Sequence, residues 1–205
     1  METGAPLVRV LGLGNVLMGD DALGPWVVHR LLETYVFPPE VSVVDVGTPG
    51  LDLVPYVAGP CGIILVDAVR SSTAKPGEIR VYGRDALVKF GPQPRTSPHD
   101  PGVTEAILAV EMAGEAPAFV TLVGVVPGRV ATGVGMTEPL QEAVATAAET
   151  VVGELVARGF DVTVRNPNAV STPLPWWEVP VIAPVPPPAS SPALASAPAV
   201  ELALV

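Results

Sequence analysis

Two aspartates are the first candidates for chemistry, because the predicted topology brings them to one crevice. Asp21 follows the first predicted strand and Asp67 follows the third. In the 2-1-3 strand order of doubly wound sheets, the carboxyl ends of those strands are neighbours, and ligands bind there. Two carboxylates in one crevice repel each other unless they share a proton or bind a cation. The pair is therefore a candidate cation site or acid–base dyad, whereas Asp67 taken alone could equally cap the next element.

Three further features lie near the ends of predicted elements. Asp45 closes the second strand and either joins the pair or caps the turn that follows. In that turn, Gly47-Thr48-Pro49-Gly50, small residues let the backbone approach a bound peptide closely, so we expect it to line the crevice. His99 lies in a proline-rich segment, where prolines deny regular hydrogen bonding, and is either a site residue or a solvated loop histidine. His29 lies on the polar face of a helix and is interpreted as structural or solvated.

The elements that position these residues form a repeating pattern of strands and helices. Apolar runs predict strands, and amphipathic stretches predict helices. Pro25 favours the first helical turn, which leaves the carboxylates of Asp20 and Asp21 in the preceding loop, free for other work. We expect only one of the two to reach a bound ion, with Asp20 as an inert control. The predicted strands are Leu7–Leu13, Val41–Val46, Cys61–Val66, Ile79–Tyr82 at an edge and Phe119–Val126, and the main helices begin near Gly24, Gly102 and Thr137.

This alternation predicts an α/β fold with a single three-layer domain, a twisted, mostly parallel sheet flanked by helices on both faces. The domain is predicted to span residues 1–164. Residues 165–205 are rich in proline and alanine and almost uncharged, so we expect a disordered tail.

Composition excludes several classes of partner and site. A net charge of −10 with 11 basic residues argues against nucleic acid, which requires clustered Lys and Arg. Cys61 is the single cysteine, which excludes an internal disulfide and a cysteine-rich zinc site. The chain has no secretory signal pattern and no run of about 20 apolar residues that would span a membrane. We expect a soluble cytoplasmic protein without a membrane partner.

The first loop also partly matches a dinucleotide-binding fingerprint. Gly12 and Gly14 supply the first half of the pattern, but Leu17 stands where the third glycine is required. Asp20 and Asp21 would face the pyrophosphate with like charge, which opposes binding. Nucleotide or small-ligand binding is therefore the weaker alternative.

Five short motifs together carry a family resemblance that covers about Leu7 to Arg158. They are Gly12 to Asp21, Asp45-Val46-Gly47-Thr48-Pro49-Gly50, Leu65-Val66-Asp67-Ala68, Ser97-Pro98-His99 and Thr121 to Pro127. In this order and spacing the chain resembles the hydrogenase maturation endopeptidases, which trim the C-terminal extension from the large subunit of nickel–iron hydrogenases.

The resemblance implies an aspartyl-type endopeptidase whose metal-binding and catalytic residues are Asp21, Asp67 and His99. Some family members have Glu at the position of Asp21. The resemblance also implies that the nickel is supplied by the substrate subunit, so no organic cofactor is expected and the large-subunit precursor is the partner. The open alternatives are a metal-free Asp21–Asp67 dyad, which leaves His99 unexplained, and a non-catalytic hydrogenase-assembly chaperone.

Overall fold

The computed structural model describes residues 7–89 and 102–166, together with Trp177. The chain divides into two units, Met1–Pro173 and Leu174–Val205, and the description below concerns the first. His99 and nearly all of the predicted tail lie outside the described residues. The predicted domain boundary and the predicted disorder of the tail stay predictions.

The strands of the described chain form one large and one small sheet. The large sheet has the order β3-β1-β4-β6-β5, in which β5 alone is antiparallel to its neighbour. The other two strands, β2 and β7, form an antiparallel pair. The strands are β1 Val8–Leu13, β2 Tyr35–Val36, β3 Val41–Gly47, β4 Gly62–Ala68, β5 Ile79–Gly83, β6 Phe119–Val125 and β7 Thr163–Val164. The predicted mostly parallel sheet is confirmed, and so is the adjacency of the strands that precede Asp21 and Asp67.

Helices cover both faces of the large sheet, as predicted for a three-layer domain. One face packs against α1 and α5, and the other packs against α2 and α4. Two short 3₁₀ turns, Gly19–Ala22 and Gly50–Leu53, precede α1 and α2. The helices are α1 Leu23–Thr34, α2 Val54–Val57, α3 Arg84–Lys89, α4 Gly102–Met112 and α5 Glu138–Ala157.

The central strand β4 shows why the sheet is buried on both sides. Ile63 and Leu65 belong to the core beneath α2 and α4, whereas Ile64 and Val66 belong to the core beneath α1 and α5. Successive side chains point to opposite faces, so a strand covered by helices on both faces is a continuous apolar run. This run supports Asp67 at the carboxyl end of β4.

Two local differences from the sequence prediction have clear causes. The strand expected to stop at Val66 continues to Ala68, because Asp67 and Ala68 still pair with Gly124 and Val125 of β6. The helix α3 was not predicted. A helix that packs on a core is recognised by its apolar periodicity. None of the residues of α3 is buried, and its sequence shows no such periodicity.

No helix within the described residues is long and apolar enough to span a membrane. The cytoplasmic location stays a prediction.

Candidate active site

A small pocket of about 30 Å³ lies at the carboxyl ends of β1, β3 and β4. Both Asp21 and Asp67 line it, together with the turn from Gly47 to Gly50 and the start of α4. Asp45 is not among its described lining residues. The described residues around it are Leu13, Gly14, Asp21, Gly47, Thr48, Pro49, Gly50, Leu53, Asp67, Gly102 and Val103.

Asp21 is held on the 3₁₀ turn Gly19–Ala22 between β1 and α1. Its side chain is 2% exposed, and its Oδ2 accepts a hydrogen bond of 2.9 Å from the N–H of Asn15. Gly14 has φ +136° and lies so close that a Cβ at this position would be 1.8 Å from the carbonyl oxygen of Asp21. The absence of a side chain at Gly14 therefore lets the turn fold down onto the end of β1.

Close packing of α1 on the sheet places this turn. A Cβ on Gly24 would be 2.1 Å from the carbonyl oxygen of Leu13 and 2.7 Å from that of Val66. Real Cβ atoms do not approach other heavy atoms this closely, so only glycine fits where the helix crosses β1 and β4. Gly12 and Gly14 of the first motif pack equally closely, because a Cβ on Gly12 would be 2.6 Å from the carbonyl oxygen of Gly24 and one on Gly14 would be 1.8 Å from that of Asp21.

Asp67 reaches the pocket from the neighbouring strand. It is half-buried, and its Oδ1 accepts a hydrogen bond of 2.7 Å from the N–H of Ala68. By strand alternation it lies on the same face as Ile63 and Leu65, which is the face covered by α2 and α4. The two carboxylates therefore approach one pocket from two places, Asp21 from the turn that follows β1 and Asp67 from the carboxyl end of β4.

An irregularity in β3 brings the glycine turn to the pocket. The pairing of β1 with β3 shifts register after Gly12, so that Leu13 lies opposite Gly47. The Gly14 N–H then donates to the carbonyl oxygen of Gly47 at 2.9 Å. Bulges of this kind bend a strand and re-aim its end. On the far side of the turn, a Cβ on Gly102 would be 2.4 Å from the carbonyl oxygen of Gly50, so the start of α4 also requires glycine.

Asp45 caps this turn. Its Oδ1 accepts a hydrogen bond of 2.9 Å from the N–H of Gly47. Burial raises the pKa of the Asp45 carboxyl above its ordinary value, and the hydrogen bond from Gly47 opposes that shift. The contact that the structure shows for Asp45 is therefore with the turn itself.

The expectation that the carboxylates of both aspartates are free is wrong. Asp21 accepts a hydrogen bond from the N–H of Asn15, and the protein holds Asp20 from several sides. This residue is fully buried, and its carboxylate accepts four hydrogen bonds from Gly128, Arg129 and Thr137. Three of the donors are backbone N–H groups more than 100 residues away in sequence. Backbone donors leave no pattern in residue types, so sequence reasoning had no signal for this role.

The described residues alone do not make a complete metal site. No group of three His, Cys, Asp or Glu residues in ranges 7–89 and 102–166 could hold a metal ion. Asp21 and Asp67 supply two carboxylates at the pocket, and the third residue of the predicted set, His99, lies outside these ranges.

Comparisons with known proteins extend over most of the chain. A family model described as HycI, hydrogenase maturation protease, matches residues 25–154. The chain is 32% identical over 159 residues to the hydrogenase 2 maturation protease of Escherichia coli (strain K12), covering 78% of this chain and 96% of that protein. It is 33% identical over 171 residues to the hydrogenase expression/formation protein HupD of Rhizobium leguminosarum bv. viciae, and the match covers 83% of this chain and 84% of that protein. In structure it is similar to the hydrogenase maturating endopeptidase HybD from E. coli, with a TM-score of 0.72 and 30% identity over 77% of this chain and 97% of that one.

Proposed function

Since this chain belongs to the hydrogenase maturation protease family and is a peptidase, we propose that it removes the C-terminal extension of a nickel–iron hydrogenase large-subunit precursor after nickel insertion. The observation that carries this proposal is the pocket that Asp21 and Asp67 line together. Two carboxylates at one small pocket, one from the turn after β1 and one from the end of β4, suit recognition of a divalent cation.

In this proposal the nickel enters as part of the substrate. The carboxylate oxygens of Asp21 and Asp67 would hold the ion, and the pocket volume of about 30 Å³ exceeds the roughly 10 to 15 Å³ that one water-sized group needs. An ion held at the peptide would polarise the scissile carbonyl or activate a water molecule for attack. This arrangement cleaves a peptide bond without a nucleophilic serine or cysteine and without an organic cofactor.

His99 is proposed as the third ligand, and chain connectivity supports it. The described chain resumes at Gly102, which lines the pocket, and Gly102 follows His99 by three residues in the sequence. Because a fully extended chain spans at most about 3.6 Å per residue, this short separation in sequence limits how far His99 can lie from Gly102. An imidazole nitrogen added to two carboxylates leaves open positions on the ion for substrate groups.

The turn from Gly47 to Gly50 is proposed to contact the substrate peptide. A Cβ built on Gly47 or Gly50 meets no atom within 4 Å, so the backbone of this pocket wall is open to an approaching chain. Thr48 lies between the two glycines and lines the same pocket. Asp45 supports this wall through its hydrogen bond to Gly47.

Replacing Gly47 by Val tests this wall. Gly47 has φ +58°, so we expect Gly47→Val to lose about 1 to 2 kcal/mol of unfolding free energy. The new side chain would stand in the open space beside the pocket, and we expect binding of the precursor to weaken by about tenfold, or about 1.4 kcal/mol. Denaturant titration measures the first effect, and precursor titration of the folded variant measures the second.

Gly114→Val is the matched control. Gly114 also has a positive φ, +77°, and open space around its Cβ position, but it follows the end of α4 that is remote from the pocket. It should lose similar stability and bind precursor normally. Equal binding by the two folded variants would show that the turn from Gly47 to Gly50 is only structural.

The cleavage reaction itself is tested by incubating the protein with nickel-loaded large-subunit precursor and measuring the mass of the precursor. A peptidase shortens the precursor by its C-terminal peptide. Stable co-elution with a precursor of unchanged mass would instead favour the assembly-chaperone alternative and overturn the proposed reaction.

A further inference from the structure

The Asp20 carboxylate, next to Asp21 in sequence, is fully buried and accepts four hydrogen bonds. Its Oδ2 accepts hydrogen bonds from the N–H groups of Gly128 and Arg129, each at 2.7 Å, and from the Thr137 hydroxyl at 2.9 Å. Its Oδ1 accepts the N–H of Thr137 at 2.6 Å. Hydrogen bonds to ionised acceptors are the short and strong ones, so this side chain is held from several directions.

These donors belong to the connection between β6 and α5, and further backbone bonds join that connection to the first loop. The N–H of Asp20 donates to the carbonyl oxygen of Arg129 at 3.1 Å, and the N–H of Gly19 donates to the carbonyl oxygen of Gly133 at 2.9 Å. The N–H of Gly133 in turn donates to the carbonyl oxygen of Leu17 at 2.9 Å. The connection is therefore fastened to the same four-residue turn that carries Asp21.

We propose that Asp20 is not the inert control expected from the sequence but a positioning residue for the active site, which acts by fixing the turn Gly19–Ala22 so that Asp21 faces the pocket. This inference rests on the proposed function of Asp21. The two residues are adjacent, and their side chains serve different neighbours: Asp20 contacts the connection from Gly128 to Thr137, whereas Asp21 lines the pocket. Rotation of the turn would move both carboxylates together.

An amide cannot replace this carboxylate. Both oxygens of Asp20 accept hydrogen bonds from donors, and an Asn side chain has one acceptor oxygen and one NH₂ donor group. Whichever way the amide of Asp20→Asn is turned, its NH₂ faces at least one donor, and a buried N–H loses its acceptor. We therefore expect this near-isosteric change to loosen the turn.

The test compares Asp20→Asn with Val151→Ala, a control of general stability. Val151 is fully buried in the core on the α1 and α5 side and does not line the pocket. Both variants are assayed on nickel-loaded precursor at a temperature at which both are folded. A displacement of about 1 Å at a reacting group costs on the order of 100-fold in rate. We expect kcat to fall by that order in Asp20→Asn with a smaller change in KM, and to stay at the wild-type value in Val151→Ala.

A second readout does not depend on activity. The Asn15 N–H donates to Asp21, so its hydrogen exchange reports whether Asp21 is still in place. We expect faster exchange at Asn15 in Asp20→Asn than in Val151→Ala. Equal exchange at Asn15 or equal kcat in the two variants would overturn the positioning role. If the wild-type protein fails to cleave the precursor, the proposed function fails, and the exchange at Asn15 still decides the role of Asp20.

Thr137→Val provides a milder change for the case in which Asp20→Asn does not fold. Thr137 is the N-cap of α5, but its side chain makes no capping bond, so this change removes only the hydroxyl donor to Asp20. The three backbone donors remain. We expect a smaller increase in Asn15 exchange in the same direction, and no change at all would contradict the proposal.

Discussion

Asp67→Asn is expected to abolish cleavage of the nickel-loaded precursor while the fold is kept. The change retains the shape and leaves an oxygen to accept the N–H of Ala68, which now donates to Asp67 at 2.7 Å. It removes the negative charge and replaces a carboxylate, which is the better ligand for a metal ion, with an amide. Metal-ion polarisation supplies several kcal/mol to the transition state, and each 1.36 kcal/mol is a factor of ten. We expect a loss on the order of 1000-fold in kcat/KM, measured by release of the C-terminal peptide.

Asp52→Asn is the matched control for that experiment. Asp52 is exposed on the 3₁₀ turn Gly50–Leu53, close to the pocket in sequence but not among its lining residues. Asp52→Asn makes the same change in net charge as Asp67→Asn, and this variant should cleave the precursor at the wild-type rate. Normal cleavage by Asp67→Asn would end the carboxylate mechanism, and an equal loss in both variants would attribute the effect to overall charge.

Gly14→Ala is expected to have the next largest effect, on stability and activity together. The added Cβ would stand 1.8 Å from the carbonyl oxygen of Asp21, so the turn must move away from β1. The backbone at Gly14, with φ +136°, adds strain on the order of 1 to 3 kcal/mol for any other residue. We expect an unfolding free energy lower by more than this strain alone, and loss of cleavage in the molecules that remain folded. Denaturant titration and precursor assay measure the two effects.

Gly59→Ala separates backbone strain from displacement of Asp21. Gly59 also has a positive φ, +96°, and its Cβ position meets no atom within 4 Å. It precedes the amino end of β4, whereas the pocket lies at the carboxyl ends of the strands. Gly59→Ala should show only the strain and should cleave the precursor normally. If Gly14→Ala and Gly59→Ala lose equal stability and keep equal activity, the close approach of Gly14 to Asp21 has no functional consequence.

The parts of the fold that residue pattern could predict are those in which burial dictates residue type. The central strands β4 and β6 are buried on both faces and were predictable as apolar runs. The apolar runs indicate the strands, and the common doubly wound strand order makes β1 and β4 neighbours. Together they were enough to expect Asp21 and Asp67 at neighbouring strand ends, and the structure pairs β1 with β4.

The rest depended on contacts that residue types do not encode. Asp20 is satisfied by backbone N–H groups of Gly128, Arg129 and Thr137, which any residue but proline supplies. The register shift that brings Gly47 opposite Leu13 likewise has no signature in the composition of β3. The bonds to Asp20 show that the connection between β6 and α5 holds it, and the register shift brings the glycine turn to the pocket.

We propose that the pocket recognises nickel carried by the substrate. To test this, the wild-type protein is incubated with two preparations of the same large-subunit precursor, one loaded with nickel and one without it, and the mass of each precursor is followed. We expect only the nickel-loaded precursor to lose its C-terminal peptide. Equal release from the nickel-free precursor would contradict nickel recognition and would favour a metal-free dyad of Asp21 and Asp67.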